Sequence, residues 1–124
     1  MSRRVVPDER SEIAVAIEEL TDEAELVLTT GGTGVAPRDV TSEATASVVE
    51  RQVPGLSEAI RADAFGRTPH GLLSRGIAGI RGSALVINLP GSPGGCRDGY
   101  AVVHEALPHA IHLVAGEPGG HRQT

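Results

Sequence analysis

The chain has no lysine and no tryptophan, and only one phenylalanine, one tyrosine and one cysteine among its 124 residues. Without lysine, no site can rest on an ε-ammonium, so Schiff-base chemistry and the Gly-Lys-Ser/Thr grip of a Walker loop are excluded. The lone thiol, Cys96, has no partner for an intramolecular bridge; this suits a reducing compartment, and a cytoplasmic location is expected. With aromatics nearly absent and 40% of residues apolar, the core must be built from Ala, Val, Leu and Ile, which suits buried parallel strands covered by helices. No apolar run approaches the roughly 20 residues of a membrane span. The Met-Ser-Arg-Arg start runs into Val-Val-Pro-Asp instead of the apolar stretch of a leader, so no membrane partner is expected. Cations are in deficit, eleven against sixteen carboxylates for a net charge of −5, which disfavours a nucleic-acid surface built on clustered positive charge.

All the cations are arginines, whose planar guanidinium suits two-point contact with phosphate. The length fits a single domain, expected over residues 1–116, with 117–124 as a flexible tail. Arg3 to Val6 precedes Pro7-Asp8 and predicts a short strand ending in a turn, because the residue before a proline is pushed toward extended backbone. Asp8 then sits at a strand's carboxyl end. Ile13, Ile17 and Leu20 recur at helical spacing behind Ser11, predicting a helix to Ala24 whose acidic side (Glu18, Glu19, Asp22, Glu23, Glu25) reads as a solvated face. Leu26 to Thr30 reads as a buried strand emptying into Gly31-Gly32. Val40, Ala44 and Val48 mark a second helix, and 56–65 a third. The stretch 70–82 carries no usable periodicity. Ala84 to Leu89 is another buried strand, followed by a helix from Cys96 to Leu107 and a further turn opened by Pro108. This alternation predicts an α/β class, three layers α/β/α around a mostly parallel sheet.

Both well-marked strands run into glycine-rich loops, and ligands of open parallel sheets bind beyond the strands' carboxyl ends. In Thr29-Thr30-Gly31-Gly32-Thr33-Gly34-Val35-Ala36-Pro37-Arg38-Asp39-Val40-Thr41, glycines free backbone amides to close on an anion, Thr33 adds a hydroxyl, and the next helix adds its positive end. On composition alone a purely steric turn is the better account of the glycines, and Pro37 breaks the dinucleotide pattern. Asp39 beside Arg38 reads alone as a surface pair or cap. Together with Asp8 it becomes a second carboxylate facing a phosphate cradle, the arrangement Mg²⁺ needs for a bound nucleotide. Pro90-Gly91-Ser92-Pro93 supplies a facing wall, and Ser74-Arg75 is a weaker phosphate candidate. His109 and His112 have no third ligand at motif spacing, and Cys96 reads as a bystander.

With these segments in place, the chain resembles the molybdopterin adenylyltransferase family, including its MoaB-type members. The matching stretches are Val5-Val6-Pro7-Asp8, Leu26 to Glu43, Val53-Pro54-Gly55-Leu56, Leu73-Ser74-Arg75 with Ala78-Gly79, and Asn88-Leu89-Pro90-Gly91-Ser92-Pro93. The resemblance implies a molybdopterin-binding-like fold, a homotrimer, and Mg²⁺-dependent adenylyl transfer from ATP to molybdopterin with release of pyrophosphate. It implies catalytic and metal-holding roles for Asp39 and Asp8. Molybdopterin and ATP would be bound by Gly31, Gly32, Thr33, Gly34, Arg38, Ser74, Arg75, Asn88, Pro90, Gly91, Ser92 and Pro93. A downstream molybdenum-inserting enzyme is the implied partner. Family members open with a further strand–helix unit bearing a Ser-Asp segment, which this sequence does not show before Arg3, so a non-catalytic molybdopterin-binding or scaffold subunit is the alternative expectation.

Overall fold

The computed structural model describes residues 1–116; the tail expected at 117–124 lies outside them. Five helices and four strands follow in the order α1 (Arg10–Glu23), β1 (Leu26–Thr30), α2 (Thr41–Val48), β2 (Arg51–Gln52), α3 (Pro54–Arg67), β3 (Ala78–Arg81), β4 (Ala84–Leu89), α4 (Pro93–Val103) and α5 (Leu107–Val114). The helices at 54 and 93 begin on proline, whose missing N–H costs nothing in a first turn. This moves the start of α4 three residues ahead of Cys96.

β4 organises the core. Every residue from Ala84 to Leu89 is buried, and strand alternation deals them to opposite faces. Leu85, Ile87 and Leu89 cluster with Ile60 of α3, Val103 of α4 and Leu107 of α5. Val86 meets Val27 of β1, Ile13 and Ile17 of α1, and Ala44 of α2. Helices therefore cover both faces, the three-layer α/β/α arrangement expected from the alternation. Each of these aliphatic side chains contributes about 1.5–3 kcal/mol when removed from water.

The sheet order is β1-β4-β3-β2. β1 pairs with β4 in parallel, Leu28 opposite Ile87, whereas β3 is antiparallel to both β4 and β2. The sheet is thus mixed, and β3, the strand that makes it so, comes from the stretch 70–82 that carries no usable periodicity. Arg81 pairs with Ala84 across Gly82-Ser83, and Gly82 takes φ +59°, the left-handed backbone that a two-residue hairpin requires.

The strand expected at Arg3 to Val6 does not form. A strand needs a ladder partner, and these residues stand away from β1 across a cavity of about 610 Å³ floored by Ile13, Ile17 and Leu20. Arg4 instead pairs with Glu19 and Glu23 on α1. Among the described residues no strand pairs with the outer edge of β1, where Leu28 is 39% exposed. An open apolar edge is a template for association, and a lysine blunts it. Leu28→Lys is therefore expected to reduce concentration-dependent association in light scattering; undiminished association would place the contact elsewhere.

Candidate functional site

Because β1 and β4 are parallel neighbours, their carboxyl ends deliver the loops 31–40 and 90–92 to the same end of the sheet. The loops touch. Gly31 N–H donates to Leu89 O at 3.2 Å, and a Cβ placed on Gly91 would lie 2.9 Å from the Gly31 Cα. Gly31 and Gly32 are consecutive left-handed residues (φ +89° and +72°), which turn the chain sharply off the strand. At Gly32 a Cβ would also fall 2.0 Å from Thr41 Oγ1, so glycine is required twice over.

The loop directs its carbonyls into the protein. Gly32 O accepts from Thr41 N–H (3.0 Å), Thr33 O from Arg75 N–H (2.7 Å), Gly34 O from Arg75 Nε (2.7 Å) and Asp39 O from Arg75 Nη2 (2.6 Å). In a trans peptide the carbonyl and the following N–H point in opposite directions. The N–H groups of Thr33, Gly34 and Val35 consequently point away from those bonded carbonyls, and no hydrogen bond from them occurs among the described residues; Val35 is exposed, Gly34 half-buried and Thr33 buried. Successive unpaired amides ahead of a helix N-terminus form an anion-binding concavity.

Asp39 is half-buried, and its Oδ2 accepts from Ala36 N–H at 3.0 Å, closing the turn 36–39. Arg38 is exposed on that turn. Asp8 is exposed and lines the 610 Å³ cavity together with Gly31, Gly32 and Thr41, whereas Asp39 is not part of that lining. Thr33 is 8% exposed, so its hydroxyl offers little surface to a ligand. In the facing loop Ser92 caps α4, Oγ accepting from Gly95 N–H at 3.1 Å, and Gly91, Ser92 and Pro93 are exposed beside a half-buried Pro90.

Asn88 and Arg75 are both engaged by the protein itself, Asn88 in the core and Arg75, with its side chain 36% exposed, against the glycine-rich loop. Asn88 is 3% exposed; its Oδ1 accepts from Ile77 N–H (3.0 Å), and its Nδ2 donates to Thr29 Oγ1 (2.8 Å) and Thr45 Oγ1 (3.0 Å). Both amide hydrogens are thus used inside the protein. The guanidinium of Arg75 is taken up by the loop carbonyls and by Glu43, with Nη1 to Oε2 at 2.5 Å. The hydrogen bond from Arg75, followed by one from its own backbone, holds the Glu43 carboxyl below the ordinary carboxylate range, and Glu43 in turn raises Arg75. Ser74 Oγ accepts weakly from Gly76 N–H at 3.4 Å.

The sequence assigns no site role to Glu43, Thr41 or Thr45, although Thr41 closes the glycine-rich segment and Glu43 ends the stretch that resembles the family. Ser42, in the same turn, is buried with its hydroxyl unpaired among the described residues. His109 and His112 are exposed on α5, and no group of three or more His, Cys, Asp or Glu side chains able to hold a metal occurs among the described residues. No described helix is long and apolar enough to cross a membrane.

The family model described as "Probable molybdopterin binding domain" matches residues 1–109. The molybdenum cofactor synthesis protein cinnamon of Drosophila melanogaster is 42% identical over 122 residues, covering 97% of this chain and 20% of the relative. The molybdopterin adenylyltransferase of Helicobacter pylori (strain ATCC 700392 / 26695) is 42% identical over 114 residues, covering 90% of this chain and 65% of the relative. The chain therefore spans less than two thirds of either. The crystal structure of the molybdopterin biosynthesis enzyme MoaB from Thermus thermophilus superposes with a TM-score of 0.84 at 49% identity, over 91% of this chain and 72% of that one.

Proposed function

The chain belongs to the family of probable molybdopterin binding domains and so to molybdenum cofactor biosynthesis, and from that premise we propose that it transfers the adenylyl group of ATP to molybdopterin. The terminal phosphate of molybdopterin attacks the α-phosphorus of ATP, a P–O bond forms there, and the bond to the β-phosphate oxygen breaks, releasing pyrophosphate. A phosphate is already an anion at neutral pH, so no general base is needed. The work left to the protein is to hold two polyanions together against their repulsion.

The unpaired amides of Gly34 and Val35, with that of Thr33 beside them, are the observation that carries this reading, since such a run would supply donors to phosphate oxygens without a lysine. Arg38, exposed on the same loop, offsets negative charge. Among the described residues Asp39 Oδ1 accepts no hydrogen bond, and Asp8 is exposed; each is a hard oxygen donor of the kind Mg²⁺ takes, so Asp39, on the same loop as the amides, would hold the ion and Asp8 would assist it. When bound, the ion would neutralise charge on the polyphosphate. The same reading includes a homotrimer in the cytoplasm. Hand-off of the product to a molybdenum-inserting partner belongs to the same reading.

Incubation with molybdopterin, ATP and Mg²⁺ is expected to yield adenylyl-molybdopterin and pyrophosphate, detected by mass spectrometry. EDTA should abolish the product and excess Mg²⁺ restore it. A second reading, a non-catalytic molybdopterin-binding subunit, is favoured by the position of Asp39 outside the cavity that Asp8 lines. Molybdopterin binding by calorimetry with no product at any Mg²⁺ concentration would establish that reading in place of the first.

A further inference from the structure

Arg75 lies in the extended segment between the 3-10 turn Pro69–Leu73 and β3. Its backbone N–H and its three guanidinium nitrogens reach acceptors distributed along the loop: Thr33 O, Gly34 O and Asp39 O, and then Glu43 in the first turn of α2. We propose that Arg75, braced by Glu43, is a positioning residue that fixes the peptide planes of the glycine-rich loop and thereby aims its amides. This assignment rests on the reading of that loop as a phosphate cradle.

Peptide geometry makes the connection. A bond to Thr33 O fixes the plane that carries Gly34 N–H, and a bond to Gly34 O fixes the plane that carries Val35 N–H. Gly34 restrains neither plane by itself, because glycine has the freest backbone. Without an external clamp these amides would sample many directions, and the entropy lost on ordering them would weaken anion binding. The fork of Arg75 suits the task, since its donors are coplanar and fixed in spacing, whereas a lysine offers one flexible ammonium. The side chains of Arg75 and Glu43 are 36% and 42% exposed, and an ion pair that open to solvent adds little to global stability. A geometric role accounts for a contact set this dense better than an energetic one.

The test compares backbone ¹⁵N order parameters and inorganic pyrophosphate affinity in the wild type, Arg75→Gln, Arg75→Lys and Glu43→Gln. Order parameters of residues 33–36, 38 and 39, near the rigid value of about 0.85, are expected to fall below about 0.6 in Arg75→Gln, with the rest of the domain unchanged. Pyrophosphate, followed through the amide shifts of Thr33, Gly34 and Val35, should bind about tenfold more weakly in both arginine variants, lysine giving no rescue. Glu43→Gln, which keeps an acceptor oxygen, should lie between. Unchanged order parameters in Arg75→Gln, or full recovery in Arg75→Lys, would overturn the assignment. If Arg75→Gln does not fold, Glu43→Gln decides by the same two readouts. Both measurements are independent of turnover, so a failure of adenylyl transfer leaves this test intact.

Discussion

Asp39→Asn is expected to lower adenylyl transfer by about two to three orders of magnitude while leaving molybdopterin affinity within a few-fold of wild type. The substitution separates two roles of one side chain. As a hydrogen-bond acceptor, Asp39 closes the turn 36–39 through Ala36 N–H, and the amide oxygen of asparagine accepts the same bond with nearly the same shape. As a charge, under the proposed function it would hold the Mg²⁺ that offsets the polyphosphate, and asparagine removes that charge. The loop should therefore keep its conformation, with thermal stability close to wild type, while steady-state pyrophosphate release collapses. Asp39→Ala removes both functions and should lose stability as well. Turnover in Asp39→Asn within a few-fold of wild type would take Asp39 out of the reaction and leave Asp8 as the carboxylate to examine.

Most of the fold was legible because its strongest elements follow simple periods. β1, β4 and α1 are marked by unbroken apolar runs or by spacings of four and three, and burial follows those marks at Val27, Leu85, Ile87, Ile13 and Ile17. The antiparallel half was missed for a different reason. β2 is short and exposed, and in β3 only Ala78 and Gly79 are buried, so neither strand shows alternation. A local signal was nevertheless present: Gly82-Ser83 separates two apolar runs by the two residues of a tight hairpin turn. Arg3 to Val6 errs in the opposite direction, since extended propensity before a proline suggests a strand but supplies no ladder partner.

The site was legible in its backbone and less so in its side chains. Glycines at 31 and 32, and the second glycine loop at 91, announced a close approach of two turns, and the Gly31–Gly91 contact is that approach. Sequence alone does not tell whether a polar side chain near such a turn faces a ligand or supports the turn from below. Arg75 is separated from Gly34 by 41 positions, and Asn88 from Thr45 by 43, so no local spacing reports either bond. Both residues belong to segments that resemble the family's motifs, and a motif preserves supporting residues as readily as contacting ones.

Asn88→Leu should therefore be costly through stability and not through binding. The replacement has similar bulk and is apolar, so no large cavity opens on the α1–α2 face of β4. It does strip a partner from Ile77 N–H, Thr29 Oγ1 and Thr45 Oγ1, groups that Asn88 joins across β1, α2 and the approach to β3. Thr45 Oγ1 retains its bond to Thr41 O, so the main loss falls on Ile77 N–H and Thr29. A fully buried group left unpaired costs about 1–3 kcal/mol; these two are part-buried, so the loss is about 2–4 kcal/mol and the fall in Tm more than about 6 °C. Urea denaturation checks the first figure and calorimetry the second. A double-mutant cycle with Thr29→Val apportions the loss: if Asn88 and Thr29 act through their mutual bond, the double variant should be less destabilised than the sum of the singles by about 1 kcal/mol or more. A loss below about 1 kcal/mol in Asn88→Leu, together with weakened molybdopterin binding, would return Asn88 to the ligand's side of the loops, since removing a surface contact leaves no buried group unpaired.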